Sequence, residues 1–446
     1  MPKILAISDD GIASGYGRIS YEVNSRLIKR GYEILAASLT YDGLLPPMYE
    51  KERIPYHVAA MAGKPNWIDV VGNLVQVWQP DIIHVTQDFP YAQGVRSMPL
   101  DWSKYGFVIT TPVDGAPIYP RWLDVAKQAD AVLTISEFGV QAFKAQGLEV
   151  GLCRPAANVN TFYPLPADQR AAIRQRLGIA PDAFVLGTVA QNQGRKAISI
   201  MIEGFYKFAV DKPNARYLLN MDKVSPAGWD ILGMIVEPNG WDASKLIFRE
   251  DCDRLEVHEL RDRYNVMDVH VVLSHREGFG LPIPESQCCG VVAMALDYCS
   301  GHEQCGEGKG ILIKPIGYTE IGTWGGGRDY FADKSDYVAQ LEWAYRNPIQ
   351  RQALAEAGMR ATRQWTWDMA AGNVYDAMER VLARRRAFMS APPNAPAPSP
   401  VPPAPEYPVV SAFVAQREIL QPGAQTELVA EDIAINGREV SDLTTE

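Results

Sequence analysis

The sequence predicts an α/β protein of two doubly wound parallel-sheet domains. Short apolar, β-branched runs alternate with helical patterns over most of the 446 residues, and this alternation is typical of parallel sheets. Glycine-rich loops follow strands in both halves of the chain. Because ligands of open parallel sheets bind beyond the carboxyl ends of the strands, we expect two facing domains with an interdomain cleft.

The first domain is predicted over residues 1–163. Its first strand, residues 4–8, leads into a glycine loop at residues 9–17 and then into a helix that Gly31 closes. Further strands are predicted at residues 81–85, 107–110 and 131–135.

The second domain is predicted over residues 164–364, after a hinge near residues 163–166. Its strands are predicted at residues 184–189, 215–219, 246–248, 269–273 and 291–295. A final helix follows at residues 365–389. Residues 390–408 are so rich in proline that they predict an extended linker, and we expect residues 409–446 to form a mobile acidic tail available to a partner.

Composition excludes several classes of protein. The formal net charge of −10 gives no general attraction to nucleic acids or anionic lipids, although local basic patches could serve a nucleic-acid acceptor. No apolar run reaches the length of a membrane span, and the N-terminus predicts a strand and not a signal peptide. We therefore expect a cytoplasmic protein without a transmembrane segment.

Six cysteines in so long a chain do not indicate a disulfide framework. Cys288 and Cys289 are expected to fill the core beside a short helix. Cys299, His302 and Cys305 are close enough in sequence to suggest a metal site, but a fourth ligand is missing, so we expect a polar loop there.

The most informative segment is residues 274–285, with the sequence SHREGFGLPIPE. Glu277 follows a buried strand, and Gly278 and Gly280 allow the backbone to approach a ligand closely. Pro284 is expected to open a short helix whose free N–H groups favour an anion. Glu285 lies in its first turn, where a carboxylate can accept both hydroxyls of a ribose. Two glutamates at this spacing are common on surface helices, so the glycine loop and the preceding strand carry the prediction.

This segment resembles the Glu-x7-Glu motif of retaining, GT-B fold glycosyltransferases of family 4, and residues 1 to about 385 follow the order of that family's landmarks. The resemblance implies two Rossmann-like domains and a nucleoside diphosphate sugar as donor. It implies that Glu285 holds the ribose and that Glu277 contacts the sugar and stabilises an oxocarbenium-like transition state. Backbone amides around Phe279, Gly280 and Leu281 would bind phosphate and sugar.

Other blocks share the resemblance. Residues 14–17, with Gly15 and Gly17, resemble the family's first glycine loop, which borders the donor phosphate and the acceptor. Residues 129–136 resemble the strand that closes the first domain, and residues 158–164 its hinge, with Asn160 where aspartate is usual. In the diphosphate loop at residues 187–196, Gln191 stands where arginine is common. Arg195 and Lys196 remain to stabilise the leaving diphosphate.

Three aspartates and one histidine leave alternatives open. Asp114 could hold hydroxyls of the sugar or acceptor, take the acceptor's proton, or cap a turn before glycine. Asp251 and Asp253 have the D-x-D form of metal-dependent transferases, but their place before a helix argues against a metal. We expect no cofactor and no metal requirement. His84 is expected to be a satisfied core residue.

The expected function is a retaining transfer of sugar from a nucleoside diphosphate donor to an acceptor hydroxyl. The sequence does not identify the acceptor, which could be a glycan, a lipid, a protein or a modified nucleic-acid base. A nucleotide-sugar epimerase or hydrolase of the same fold is an alternative. A non-catalytic nucleotide-sugar-binding subunit is another, favoured by Gln191 and the proline-linked tail.

Overall fold

The computed structural model forms two compact α/β units. It describes residues 1–12, 14–44, 54–64, 66–248, 255–321 and 326–389, together with residues 434–435 and 438–439. Unit 1 comprises Met1–Thr111, Pro120–Leu133 and Ala371–Glu446, and unit 2 comprises Pro112–Tyr119 and Thr134–Ala370. The predicted proline-rich linker, most of the predicted tail, and Asp251 and Asp253 lie outside the described residues.

Unit 1 is built on a sheet whose central strands are parallel. The strands are β1 (Lys3–Ser8), β2 (Glu33–Ser38), β3 (His57–Ala60), β4 (Ile82–Thr86), β5 (Gly106–Thr111) and β6 (Ala131–Thr134). Their order is β3-β2-β1-β4-β5-β6, and the pairings from β3 to β5 are parallel. Two short strands near the C-terminus, Ala434–Ile435 and Arg438–Glu439, extend the sheet beyond β3.

Helices connect these strands and cover the sheet. They are α1 (Gly15–Lys29), α2 (Trp67–Trp78), α3 (Phe89–Arg96) and α4 (Pro120–Lys127). The Ser14 hydroxyl caps α1 by accepting a hydrogen bond from the Gly17 amide at 3.0 Å. Arg26 and Lys29 in the last turn complement the negative end of the helix dipole.

Unit 2 contains a second parallel sheet of six strands. The strands are β8 (Phe184–Val189), β9 (Ala215–Asn220), β10 (Leu246–Phe248), β11 (Val269–Val272), β12 (Val292–Leu296) and β13 (Ile311–Ile313), in the order β10-β9-β8-β11-β12-β13. Short strand β7 (Gly151–Leu152) precedes them in the chain. A hairpin of β14 (Pro315–Glu320) and β15 (Arg328–Ala332), which the sequence did not predict, follows β13.

The helices of unit 2 alternate with its strands. They are α5 (Glu137–Lys144), α6 (Ala167–Arg176), α7 (Ile198–Phe208), α8 (Val257–Val266), α9 (Pro282–Cys288), α10 (Cys299–Cys305), α11 (Lys334–Arg346) and α12 (Pro348–Thr362). Short 3-10 turns occur at Gly194–Lys196, Ala209–Asp211, Glu237–Asn239 and Ala243–Lys245, and a π-helical turn at Ile231–Val236.

The last described helix, α13 (Trp367–Met389), belongs to unit 1 from Ala371 onward. Arginines near its end are tied to backbone carbonyls of that unit. Arg385 donates to the carbonyls of Tyr105 and Ser103 at 2.8 and 2.7 Å, and Arg384 donates to the carbonyl of Asp130 at 2.6 Å.

The structure confirms the predicted fold class, because each unit is a parallel-sheet α/β structure. The compact units differ from the domain boundary that we predicted at residue 163, since residues 134–163 and 112–119 belong to unit 2. Cys288 and Cys289 are buried in the core of unit 2, as expected. Among the described helices, none combines the length and the apolar character that a membrane span requires.

Close packing in unit 2 leads to a stability prediction at Gly204 of α7. A Cβ atom there would lie 2.4 Å from the ring of the fully buried Tyr337. We expect Gly204→Ala to lower the free energy of unfolding by about 1–3 kcal/mol, because overpacking outweighs the better helix propensity of alanine. The control is Gly72→Ala in α2, where the nearest heavy atom is 3.9 Å away and a gain of about 0.5–1 kcal/mol is expected. Urea unfolding measures both; equal effects of the two variants would contradict the packing argument.

Candidate functional site

The loops that form the candidate site follow three neighbouring strands of unit 2. β8 pairs in parallel with β11, and β11 pairs in parallel with β12. The carboxyl ends of parallel strands lie at the same edge of a sheet. The loops that follow these strands carry the diphosphate-loop cations, the Glu277 loop and α10, and the structure brings them together.

Glu277 is the centre of this site. Its side chain is only 14% exposed and forms an ion pair with Lys196. Arg195 Nη1 lies 3.6 Å from the same carboxylate oxygen, Oε2, and the Ser274 hydroxyl donates to it at 2.9 Å. The backbone is tied as well, because the Ser300 hydroxyl donates to the Glu277 carbonyl at 2.9 Å. Sequence reasoning predicted Glu277, Arg195 and Lys196, and missed the two serines.

These neighbours keep Glu277 ionised. Burial alone would raise the pKa of the Glu277 carboxyl group, but the charges of Lys196 and Arg195, with hydrogen bonds from Lys196 and Ser274, lower it to about 2. Burial lowers the pKa of the Lys196 ammonium group, and the charge of Glu277 opposes that shift. We therefore describe the pair as a carboxylate and an ammonium ion, each of which stabilises the charged form of the other in a largely buried site.

The backbone of the Glu277 loop requires both of its glycines. Gly280 has a φ angle of +79°, in the left-handed region where a residue with a side chain would be strained. A side chain at Gly278 would put its Cβ atom 2.6 Å from Asp114 Oδ1 and from Pro112 Cβ. The close approach of residues 112–114 therefore depends on the absence of a side chain at Gly278.

Asp114 lies beside the Glu277 loop within unit 2. Sequence analysis placed it in the first domain, but residues 112–119 pack with unit 2 because they contact Gly278, residues 298–299 and residues 327–328. The proximity of Asp114 to Glu277 favours the interpretation of Asp114 as a site residue.

The remaining residues of the motif are also placed by specific contacts. Glu285 lies in the first turn of α9, which begins at Pro282 and not at Pro284 as expected. Its Oε2 atom accepts a hydrogen bond from the buried Tyr264 hydroxyl at 2.8 Å. Phe279 is buried, and its carbonyl accepts a hydrogen bond from the Gln304 side chain. Leu281 directly precedes α9.

A buried histidine joins β11 to α9 beneath the loop. His270 Nδ1 lies 2.9 Å from the Ser286 hydroxyl, which itself donates to the Ile283 carbonyl at 2.8 Å. The Val189 amide donates to His270 Nε2 at 3.4 Å. These partners require a neutral ring with its proton on Nδ1, in agreement with a pKa that burial lowers to about 3.

Gly15 and Gly17 lie in unit 1, in the first turn of α1 and not in the loop that we expected. A Cβ atom at Gly17 would lie 2.1 Å from the Ile12 carbonyl oxygen, so glycine is needed there for packing. His84 is a buried core residue of the same unit, and its Nε2 lies 2.9 Å from the Thr110 hydroxyl. The expectation of a satisfied histidine is met at Nε2 only, because Nδ1 has no hydrogen-bond partner among the described residues.

The structure also differs from the polar loop that we expected for Cys299, His302 and Cys305. They lie on helix α10 and not on a loop, since the residues between Tyr298 and Gly306 contain no strong helix breaker such as proline. Cys299 and Cys305 are buried, while His302 pairs with Asp297 at 2.6 Å. Within the described ranges, no group of three or more His, Cys, Asp or Glu side chains is arranged to hold a metal ion.

Similar sequences are found among curated proteins, whereas no protein-family model matches the chain. The D-inositol 3-phosphate glycosyltransferase of Streptosporangium roseum is 28% identical over 240 residues, which is 52% of this chain and 50% of the relative. That of Geodermatophilus obscurus is 30% identical over 213 residues, covering 46% of this chain and 41% of the relative. The chain thus spans about half the length of the curated relatives it matches.

Solved structures resemble the chain over more of its length. Sucrose-phosphate synthase from Thermosynechococcus elongatus has a TM-score of 0.65 at 15% identity and covers 86% of this chain and 100% of its own. HepE of Anabaena, solved with UDP and glucose, has a TM-score of 0.66 at 16% identity and covers 85% of this chain and 100% of its own. The fold is of the GT-B type. At these identities the likeness establishes the fold alone.

The Glu277 ion pair predicts a pH-dependent contribution to stability. Because the folded-state pKa of about 2 is below the ordinary 4.5, this contribution is present above about pH 4.5 and is lost as the pH falls through 2. We expect Glu277→Gln to lower the free energy of unfolding at pH 7 by up to about 3 kcal/mol, and we expect this difference to shrink towards pH 2. Urea unfolding at several pH values measures it, with the exposed Glu356→Gln as control. A difference that is independent of pH would contradict the ion-pair description.

Proposed function

We propose that this protein is a glycosyltransferase that uses a nucleoside diphosphate sugar as donor. The observation that carries the proposal is the arrangement of Glu277, Lys196 and Arg195 beyond the carboxyl ends of two neighbouring strands. The names of the curated relatives support glycosyl transfer, and the UDP and glucose bound to HepE support this class of donor.

The two cations have a specific task in this proposal. The leaving nucleoside diphosphate gains negative charge as the glycosidic bond breaks, so cations held nearby stabilise the transition state. Glu277 holds Lys196 and Arg195 in place and remains ionised itself. Its carboxylate can accept hydrogen bonds from sugar hydroxyls and can stabilise positive charge on the anomeric carbon.

Glu285 and the glycine loop complete the proposed donor site. The Tyr264 hydroxyl donates a hydrogen bond to Glu285 and orients its carboxylate, which is proposed to accept hydrogen bonds from the two ribose hydroxyls. The amides around Phe279, Gly280 and Leu281 are proposed to bind the phosphates and the sugar. Asp114 is proposed to contact the sugar or the acceptor.

We further propose that the transfer retains the anomeric configuration, as in family 4, and that no metal or other cofactor is required. Arg195 and Lys196 would replace a divalent ion. The acceptor is proposed to carry a hydroxyl group, and a cytoplasmic location fits a nucleotide-sugar donor. The inositol phosphate in the relatives' name is one acceptor to test.

The wild-type protein tests this proposal directly. Metal-stripped protein is incubated with UDP-glucose and other nucleotide sugars in excess chelator, with candidate acceptors, and released nucleotide and glycosylated product are followed by mass spectrometry. We expect turnover in chelator and a product whose anomeric proton coupling in NMR spectra matches the donor. Nucleotide release with free sugar as the only product would indicate a hydrolase, and an inverted anomer would refute retention.

Two glutamate variants should separate donor binding from turnover. We expect Glu285→Ala to weaken donor affinity by about 1–3 kcal/mol, because hydrogen bonds to ribose are lost. Glu277→Gln should lower turnover by about 10²-fold with little change in donor affinity, because it removes a transition-state electrostatic contact. Calorimetry and initial rates measure the two effects in variants shown to be folded at the assay temperature. Tyr264→Phe keeps the Glu285 carboxylate and removes only its orienting hydrogen bond, so it should weaken donor affinity less than Glu285→Ala does. Unchanged affinity in Glu285→Ala would remove Glu285 from the site.

A further inference from the structure

Three consecutive residues after β12 each bind one of the two loops of the candidate site. The Tyr298 hydroxyl accepts a hydrogen bond from the Ala116 amide at 3.0 Å. The Cys299 thiol donates to the Asp114 carbonyl at 2.7 Å. The Ser300 hydroxyl donates to the Glu277 carbonyl at 2.9 Å. Residues 298–300 therefore connect the Asp114 segment to the Glu277 loop.

Cys299 occupies this position at a conformational cost. Its φ angle is +51°, in the left-handed region that favours glycine. Strained residues persist where the surrounding structure imposes them, and they are frequent at functional sites. Here the strain accompanies a contact that glycine could not make, because the thiol is the group that reaches Asp114.

The thiol is suited to a permanent hydrogen bond and not to reactivity. Cys299 is 3% exposed, and burial raises the pKa of its thiol group well above the ordinary value. It therefore stays protonated and keeps its S–H donor. The Asp114 carbonyl that accepts this bond is adjacent to Gly115, whose Cβ position is already crowded by the Arg328 backbone at 3.0 Å. The segment is thus held from two sides.

We propose that Cys299 is a positioning residue that fixes Asp114 relative to Glu277, with Tyr298 and Ser300 as its supporting contacts. Cys299 acts through Asp114 and does not touch the substrate. The functional part of this inference rests on the proposed glycosyl transfer. If Asp114 is held by the thiol, loss of the thiol should reduce turnover without changing donor affinity.

Substitutions at Cys299 can separate the hydrogen bond from the backbone strain. Cys299→Ala removes the donor and keeps the strain, Cys299→Gly removes both, and Cys299→Ser keeps a donor. We expect kcat to fall about fivefold in the alanine and glycine variants, the effect of one neutral hydrogen bond, with the KM for the donor unchanged. The serine variant should recover most of kcat. The melting temperature of Cys299→Gly should be no lower than that of wild type, because glycine tolerates the left-handed backbone.

Hydrogen exchange provides a readout that does not depend on any activity. We expect the backbone amides of residues 113–116 and 118–119 to exchange faster in Cys299→Ala than in wild type or Cys299→Ser. Cys305→Ala, at the other end of α10 and also buried, is the matched control and should leave this segment unchanged.

The possible outcomes separate this inference from the proposed function. A wild-type protein that turns over no nucleotide sugar would refute the proposed function, and hydrogen exchange would then decide whether Cys299 holds the segment. The positioning role would be overturned if the backbone amides of this segment exchange at the wild-type rate in Cys299→Ala. It would also be overturned if the protein is active and kcat simply follows the melting temperature, with Cys299→Gly as active as wild type.

Discussion

The buried ion pair between Glu277 and Lys196 is the constraint on which the candidate site depends. Neither charge is tolerated alone in this environment, because an unpaired buried ion costs several kcal/mol of desolvation energy. The pair therefore requires that the loop after β8 and the loop after β11 meet within hydrogen-bond distance. Arg195 and Ser274 contact the same oxygen of Glu277, Oε2, that Lys196 contacts. Four side chains must therefore be in place at once.

The parallel sheet of unit 2 meets this requirement through its strand order. β8, β11 and β12 are neighbours, and their pairing register places the ends of the strands together. Side chains of these strands pack in one buried core with α7 and α11. This packing fixes the position of each strand along its own axis. The Arg195 carbonyl also accepts a hydrogen bond from the His275 amide at 2.8 Å, so the two loops are joined through their backbones as well.

Sequence reasoning found the parts of the site that depend on local pattern and strand order. Glu277, Arg195 and Lys196 each follow a recognisable strand, and two such strands predict one edge of a sheet. It considered Cys299 only as a metal ligand and missed the contacts of Cys299 and Tyr264, because a positive φ angle at cysteine and a hydrogen bond between residues far apart in sequence leave no local signal. It also placed Asp114 in the wrong compact unit, since strand β5 ends at Thr111 and only tertiary contacts assign residues 112–119.

Within the described part of the chain, the side chains that contact the Glu277 carboxylate and the segment of residues 112–119 all belong to unit 2. This arrangement bears on the glutamine at position 191, where a further cation would be common in the resembling family. Gln191 accepts a hydrogen bond from the Gln193 side chain at 2.8 Å and is exposed, so it takes no part in the charge balance at Glu277. Arg195 is instead tied to the Glu277 loop twice, through the Arg276 carbonyl at 3.2 Å and through the carboxylate. The positive charge that a diphosphate needs is thus held by the same contacts that hold the carboxylate.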